Sequence, residues 1–290
     1  LHWRLARNHS DTIRLHGRDD LGMVPSALTV VILNYNGAEI LKDTLRLALA
    51  ALPSGSNLVV VDNASTDASR EIVKQHGVPC VSAGNQDQFI TGLNTAFQVT
   101  SRPWILFAQS DIRFHPQSIA SLLTLVNQDA IYQPLLLNQD GSVNHAGVSY
   151  RWPGVGIGNQ RYPENQSLLP IEIFSTACFL LSLHTFNRIG PFDTQFAPAY
   201  YEDVDYSFRA QALGIPRYLL PNVRMTHLST WTFGKVYGTT GCAGFCRLNR
   251  KKLVQKHFRG VDQRLRLAGL SVIDLLSRSR NHLHGDTYRP

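Results

Sequence analysis

Three carboxylates fall within four residues in Tyr200-Tyr201-Glu202-Asp203-Val204-Asp205-Tyr206, bracketed by aromatic rings. Such a cluster repels itself, and a metal, a cationic partner or protons held at a raised pKa must compensate it. A carboxylate poised in a partly apolar cleft is suited to taking a proton from a hydroxyl. The competing reading is an acid-rich first turn of a surface helix, where negative charge suits the helix dipole.

Further polar residues end apolar runs. Asn34 follows Leu28-Thr29-Val30-Val31-Ile32-Leu33, Asp62 follows Asn57-Leu58-Val59-Val60-Val61, and Ser110-Asp111 follow Trp104-Ile105-Leu106-Phe107-Ala108-Gln109. A carboxylate at 62 can accept the N3–H of uracil or thymine; the alternative is that it caps the following turn, a part that suits Asp67 better than ligand contact does. Asp111 can hold a divalent cation that bridges two phosphates, because Mg2+ commonly takes one or two protein carboxylates and keeps several waters. The alternative there is a turn aspartate. His227 follows a late apolar run, Tyr218 to Val223, and can complete the metal shell or contact a phosphate; a lone histidine is more often structural. No Gly-x-Gly-x-x-Gly follows the first run and no Walker lysine is present, which argues against a dinucleotide dehydrogenase and a phosphate-cradling ATPase.

The elements that must position these residues follow from periodicity. The β-branched runs read as buried parallel strands. Between them, Ala38 to Leu52 and Ala68 to His76 have helical spacing, Val78 to Val81 reads as a short third strand, and Asn94 to Val99 as another helix. Pro116 opens a helix carrying Ile119, Leu122, Leu123 and Val126. Alternating strands and helices predict an α/β fold, a mostly parallel central sheet with helices on both faces. Ligands of such sheets bind at the carboxyl ends of the strands, where Asn34, Asp62 and Asp111 all sit. From Asp129 to Pro170, Gly, Pro and Asn punctuate short segments that read as hairpins extending the sheet.

Composition bounds the rest. With 290 residues, 43% hydrophobic and 17% charged, the chain is globular rather than disordered. Four scattered cysteines show no zinc spacing, and a reducing cytoplasm is the simpler expectation. No apolar run reaches transmembrane length. Residues 1–26 lack the apolar segment of a signal peptide and read as a poorly ordered extension. The net charge of +7 is concentrated near the C-terminus: ten Lys/Arg face two acids between Cys246 and Arg280. Residues 241–290 therefore read as a basic amphipathic helical region after a domain spanning 27–240. Leu253, Val254, Phe258, Val272, Ile273, Leu275 and Leu276 supply its apolar side, a composition suited to an anionic membrane surface; the alternative is a solvated basic face packed on the domain. No helix-turn-helix, zinc knuckle or aromatic RNA-binding signature accompanies the charge, so nucleic acid is not an expected partner.

Taken in order, Val30-Val31-Ile32-Leu33-Asn34-Tyr35-Asn36-Gly37, Val60-Val61-Asp62-Asn63-Ala64-Ser65-Thr66-Asp67, Ser110-Asp111, Gly190-Pro191-Phe192-Asp193 and Glu202-Asp203-Val204-Asp205 resemble family 2 glycosyltransferases, and within them a bacterial rhamnosyltransferase-like branch. The resemblance spans about Leu28 to Phe258. It implies a GT-A fold with a nucleotide-binding half and an acceptor-binding half, an inverting reaction, and a nucleoside-diphosphate sugar donor, dTDP- or UDP-linked, with rhamnose as the sugar. It maps Asp62 to the base-recognising acid, Asp111 to the metal-binding last position of an Asp-x-Asp motif, Asp203 to the catalytic base and Asn94 to a donor-side asparagine. Asn34 and Ser110 join the donor side; Glu202, Asp205 and Thr176 join the acceptor side or support the base. Asp111 with His227 would hold Mg2+ or Mn2+. The implied acceptor is a saccharide or lipid-linked saccharide in surface-polysaccharide synthesis, met in the cytoplasm or at the inner face of its membrane. Gln109 stands where the family carries the first acid of Asp-x-Asp, Thr176 where it often has Gly, and Phe89, Gly92 and Asn94 are what remain of a Gly-rich pattern. The first departure supports an alternative, a catalytically silent nucleotide-binding relative.

Overall fold

The computed structural model describes residues 28–84, 89–100, 102–158, 166–229 and 231–283; the extension expected over 1–26 lies outside them. The nucleotide-binding half alternates β1 (Leu28–Asn34), α1 (Ala38–Ala51), β2 (Asn57–Asp62), α2 (Ser69–Gln75), β3 (Cys80–Ser82), α3 (Phe89–Gln98) and β4 (Trp104–Gln109). β5 (Ile112–Phe114), α4 (Ser118–Leu125), β6 (Ile131–Leu137), β7 (Val143–His145), the hairpin β8 (Val148–Arg151) and β9 (Val155–Gly158), and β10 (Leu169–Pro170) follow. The chain ends with β11 (Cys178–Ser182), α5 (Leu183–Ile189), α6 (Glu202–Ala212), β12 (Arg217–His227), α7 (Trp231–His257) and α8 (Gly260–Leu283).

The main sheet runs β10-β12-β6-β11-β4-β1-β2-β3, with β5 on β12 and β7 on β6. β1 lies parallel to both β2 and β4, and β2 parallel to β3. Successive strand residues point to opposite faces. Val31, Leu33, Val61, Ile105 and Phe107 meet α3 and the later helices, while Val30, Ile32, Val60, Leu106 and Ala108 meet α1, α2 and α4. At about 1.5–3 kcal/mol for each fully buried large side chain, these two apolar layers hold the sheet rigid beneath its polar rim. α1 buries Ile40, Leu41, Thr44, Leu45 and Ala48, a helical stripe. Its N-terminus has no cap of its own; Asp67 reaches over to accept from Ala38 N at 2.9 Å while its other oxygen accepts from Ser69 N at 3.0 Å. Asp67 is thus a structural tie between two helix starts.

Two expectations need correction. The late strand is longer than Tyr218 to Val223: β12 runs to His227 and tolerates Pro221 through a register shift between Leu220 and Arg224, because proline cannot donate to the ladder. The boundary expected at 240/241 falls inside α7, near its kink at Gly238 (φ 62°). Leu253 and Val254 are fully buried, and Asn249 Nδ2 donates to the carbonyls of Phe196, Ala199 and Tyr200 at 2.6, 2.9 and 3.1 Å. Leu253 and Val254 therefore pack on the domain instead of lying open for a membrane. Among the described residues no helix is long and apolar enough to cross a membrane, and none of the four cysteines is in a disulfide.

Candidate active site

A line of backbone hydrogen bonds stitches the sheet rim together. Asn63 N donates to Asn34 O at 2.8 Å, Ser110 N to Leu33 O at 2.9 Å, Gln109 N to Ala177 O at 2.9 Å, and Leu228 N to Asp111 O at 3.0 Å. Because β11 runs antiparallel to β4, its beginning meets the end of β4, which brings Thr176 to the rim. β12 pairs with β5 so that His227 lies opposite Ile112, beside Asp111. Asn34, Asp62, Ser110, Asp111, Thr176, Glu202 and His227 are thereby linked along one edge.

Asn34 and Asp62 are cross-strand partners, and Asn34 Nδ2 donates to Asp62 Oδ1 at 3.1 Å and to Ser65 Oγ at 3.1 Å. Asp62 also accepts from Ser65 Oγ at 2.5 Å, Ser65 N at 3.0 Å and Arg70 Nε at 2.8 Å. These donors occupy all of the roughly four acceptor sites of a carboxylate, so a base reaching Asp62 must displace one; Arg70, half exposed, is the one free to swing. Asn34 Oδ1 is buried without a partner. A Cβ at Gly37 would collide with it and press on Ser110 Oγ, so only glycine lets the β1–α1 turn close over these two side chains.

Asp111 is buried, and its Oδ1 has no hydrogen-bond partner. Its Oδ2 lies 3.5 Å from His227 Nε2. His227 Nδ1 lies 2.9 Å from Asn144 Oδ1, and Asn144 Nδ2 donates to Asn138 Oδ1 at 2.7 Å and Ser229 Oγ at 2.6 Å. Those two donations fix the orientation of the Asn144 amide, so its oxygen receives the Nδ1–H of His227. A neutral ring in that tautomer presents the Nε2 lone pair to the carboxylate, an arrangement of two acceptors that suits a bound cation. The donor set suits Mg2+ or Mn2+ completed by phosphate oxygens and water. Among the described residues no group of three or more His, Cys, Asp and Glu gathers as a metal site. Arg113 turns the other way, to Ile40 O and Thr44 Oγ1 on α1.

Beside this pair, His145 Nδ1 accepts from Gln133 Nε2 at 2.9 Å and Gly147 N at 3.1 Å. Burial, and then the nearby His227, lowers its pKa to about 4. It is a neutral ring with its proton on Nε2. Gln133 Oε1 in turn accepts from Ser175 N at 2.8 Å, next to Thr176.

Glu202 and Asp203 open α6 after two successive left-handed tyrosines, Tyr200 (φ 74°) and Tyr201 (φ 71°). Glu202 Oε1 accepts from Thr176 Oγ1 at 2.7 Å, and its Oε2 is buried without a partner. Burial raises its pKa against the lowering effect of the Thr176 hydrogen bond. Asp203 Oδ1 accepts from Val204 N at 2.8 Å, which leaves Oδ2 for another partner. Burial first and the Glu202 charge second hold its carboxyl well above the ordinary aspartate range. This is the environment of a strong carboxylate base.

Six non-glycine residues have left-handed backbone among those described: Asn36, Ala64, Gln117, Tyr200, Tyr201 and Ser229. All but Gln117 lie within two residues of a candidate site residue. Such conformations cost about 1–3 kcal/mol each and persist where surrounding contacts enforce them; the Asn249 hydrogen bonds do so beside Tyr200.

Two expected site residues are held elsewhere. Asn94 donates to Phe192 O at 3.0 Å and accepts from Phe192 N at 2.8 Å, so its amide locks α3 to the loop before α6. Asp205 is fully buried and accepts from Lys256 Nζ at 2.6 Å, His257 Nε2 at 2.7 Å and Arg209 Nε at 2.9 Å. Its carboxylate ties α6 to α7. The i,i+4 spacing of Asp205 and Arg209 is the sequence signal for that role. Asn144, His145, Gln133 and Arg70 are site neighbours with no comparable signal, since each depends on a partner distant in sequence.

The family model for Glycosyl transferase family 2 matches residues 29–190, more than half of the chain. No curated protein matches the chain. Among solved structures, GalNAc-T7 with UDP, GalNAc and Mn2+ superposes with a TM-score of 0.63 at 14% identity, covering 79% of this chain and 48% of that one. This chain thus spans about half the length of GalNAc-T7. The mannosyltransferase PcManGT from Pyrobaculum calidifontis, in complex with GDP-Man and Mn2+, superposes with a TM-score of 0.53 at 14% identity, covering 89% of this chain and 81% of that one. These likenesses show the GT-A fold, and with a family match running from β1 to the glycine after α5, the chain belongs to glycosyl transferase family 2.

Proposed function

We propose that this family 2 glycosyltransferase is an inverting enzyme that moves a sugar, rhamnose in the reading its motifs favour, from a dTDP- or UDP-linked donor to a saccharide or lipid-linked saccharide in surface-polysaccharide synthesis. The observation that carries the reading is the division of the rim: a carboxylate–imidazole acceptor pair at Asp111 and His227, and a carboxylate of raised pKa at Asp203. The two structural neighbours hold sugar nucleotides or nucleotide with Mn2+, which supports the same donor class and a divalent cation here.

Asp111 and His227 would hold Mg2+ or Mn2+, which when bound neutralises the charge developing on the departing diphosphate. Asp203 Oδ2 takes the acceptor hydroxyl proton as that oxygen attacks the anomeric carbon opposite the leaving group. Thr176 holds Glu202, and the Glu202 charge keeps Asp203 basic. Asn34, Ser65 and Arg70 shape the Asp62 pocket edge for the base. Gln109, in place of an acid, favours the second reading, a nucleotide-binding relative without transfer.

A thermal-shift panel of dTDP-, UDP- and GDP-sugars with and without Mn2+, followed by mass spectrometry of acceptor mixtures with wild type and Asp203→Asn, tests the proposal. A metal-dependent donor shift and a product lost in Asp203→Asn support it. A shift with no product from any acceptor supports the second reading, and no shift overturns both.

A further inference from the structure

α8 leaves an apolar face open to solvent. Val261, Leu265, Val272 and Leu275 are 71, 56, 56 and 68% exposed, with exposed Ala268 between them. At 3.6 residues per turn they fall within about a 100° arc. The opposite side of the helix is satisfied by the protein: Leu270 is fully buried, and Asp274 meets Arg250 at 2.5 Å and Arg247 and Lys251 at 3.6 Å. The open face is therefore not a packing remnant, because α8 already has a buried side of its own.

What borders that face identifies its partner. Trp152, at the tip of the β8–β9 hairpin, is 60% exposed, and its ring lies against Gly269 of α8, where an added Cβ would come within 2.9 Å of Cη2. Exposed Arg264 borders the first turns of this face, and exposed Arg259 lies just ahead of the helix start. The acids of α8 are already engaged, Asp274 as above and Asp262 by Arg266 at 3.1 Å, so they do not cancel these arginines. Aliphatic side chains in the middle, a tryptophan at the edge and cations around them match the layers of an anionic bilayer surface: acyl chains, interfacial zone and headgroup phosphates. A partner protein of ordinary composition gives no reason for the arginine border.

We propose that the exposed face of α8, with Trp152 beside it, docks the protein on anionic lipid, laying α8 in the plane of the interface. The proposal is independent of the transfer reaction and of the donor. The hairpin that carries Trp152 follows β7, the strand of Asn144 and His145, so docking sets the catalytic rim at a fixed height above the lipid.

The full chain is co-sedimented with vesicles of phosphatidylcholine alone or with phosphatidylglycerol, at low and high salt, as wild type, Trp152→Ala and Val272→Glu/Leu275→Glu. These side chains are exposed, and an unchanged melting temperature checks that each variant folds. The expected result is binding to the anionic vesicles at low salt, loss of most of it at high salt, and at least a tenfold fall in partitioning for the double variant with a smaller fall for Trp152→Ala. Absence of binding to anionic vesicles overturns the proposal. So does binding undiminished in the double variant, or a wild-type dimer in sedimentation equilibrium that the double variant dissociates, which would assign the face to a second copy of this chain.

Discussion

Asp111 Oδ2 and His227 Nε2 face each other at 3.5 Å while Asn144 Oδ1 lies 2.9 Å from His227 Nδ1, so a neutral imidazole bonded to Asn144 turns its Nε2 lone pair toward the carboxylate. Asn144 is bonded to the imidazole and not to the carboxylate, yet it orients what the imidazole offers. Replacing it with alanine frees the ring to adopt the other tautomer, with Nε2–H bonded to Asp111 and no lone pair for a cation. We expect Asn144→Ala to weaken Mn2+ binding about 10–100-fold, read by electron paramagnetic resonance titration of the unliganded protein. His227→Ala should weaken it at least as much. An Asn144→Ala protein with unaltered Mn2+ affinity would remove the argument for His227 as a ligand.

Asp203 and Glu202 predict opposite effects on rate and stability. Asp203→Asn should lower kcat about 10²–10⁴-fold, the range of general-base catalysis, with donor affinity unchanged. Both carboxyls have raised pKa values in the folded protein, by burial first. The folded state therefore binds their protons more tightly than the unfolded chain, and stability is lost as pH rises through the raised values. Asp203→Asn should accordingly melt at a higher temperature than wild type near neutral pH, with the difference shrinking in acid. The rate of wild type should rise with pH through the raised Asp203 pKa. Glu202→Gln removes the neighbouring charge and should move that limb to lower pH. A pH–rate series of the two proteins checks the direction.

The Asp62 pocket separates a buried acid from an exposed partner. Arg70 is half exposed and Asp62 is buried. A partly exposed ion pair contributes little, so Arg70→Ala should leave stability nearly unchanged. Asp62→Ala removes the acceptor of the Ser65 N–H and hydroxyl and one acceptor of the Asn34 amide, and should cost about 1–3 kcal/mol. If Asp62 reads the base, Arg70→Ala also keeps or strengthens donor binding by clearing one oxygen. Urea unfolding and nucleotide titration of both variants measure the two effects.

The strand ends were legible in the sequence because an apolar β-branched run that stops at Asn34, Asp62 or Asp111 fixes both the strand and its polar terminus. The sheet order then brings those termini to one rim without any choice left to side chains. Asp203 is singled out only by the family resemblance, since acids opening a helix also suit its dipole. Asn94 and Asp205 were less legible: each lies in a motif, but its hydrogen bonds go to Phe192 and to Lys256, His257 and Arg209, partners chosen by tertiary packing. The C-terminal basic region shows the same limit. Its composition announces amphipathic helices, but only packing decides that Leu253 and Val254 are core while Val272 and Leu275 are surface.

The Asp205 cluster should behave as a structural tie that fails in acid. Burial pushes the Asp205 carboxyl upward, but hydrogen bonds from His257 and Lys256 and the Arg209 charge outweigh it, and its pKa lies below the ordinary value. A lowered folded pKa gives stability that is full above the unfolded value and is lost as pH falls through the folded one. Asp205→Asn keeps the shape of the side chain but leaves Arg209 and Lys256 facing a neutral amide, with Asp193 still beside Lys256. Those cations are each partly exposed and recover some hydration, so the cost should be about 2–4 kcal/mol, toward the lower end of that seen for broken buried pairs. Chemical denaturation from pH 7 to pH 2.5 should show the variant less stable than wild type at neutral pH and the two converging in acid. Because α7 also holds the loop before Glu202 through Asn249, loosening Asp205 should lower kcat as well, with no change in Mn2+ affinity at Asp111 and His227. A variant that lost Mn2+ binding together with kcat would instead place Asp205 in one cooperative unit with the metal side of the rim.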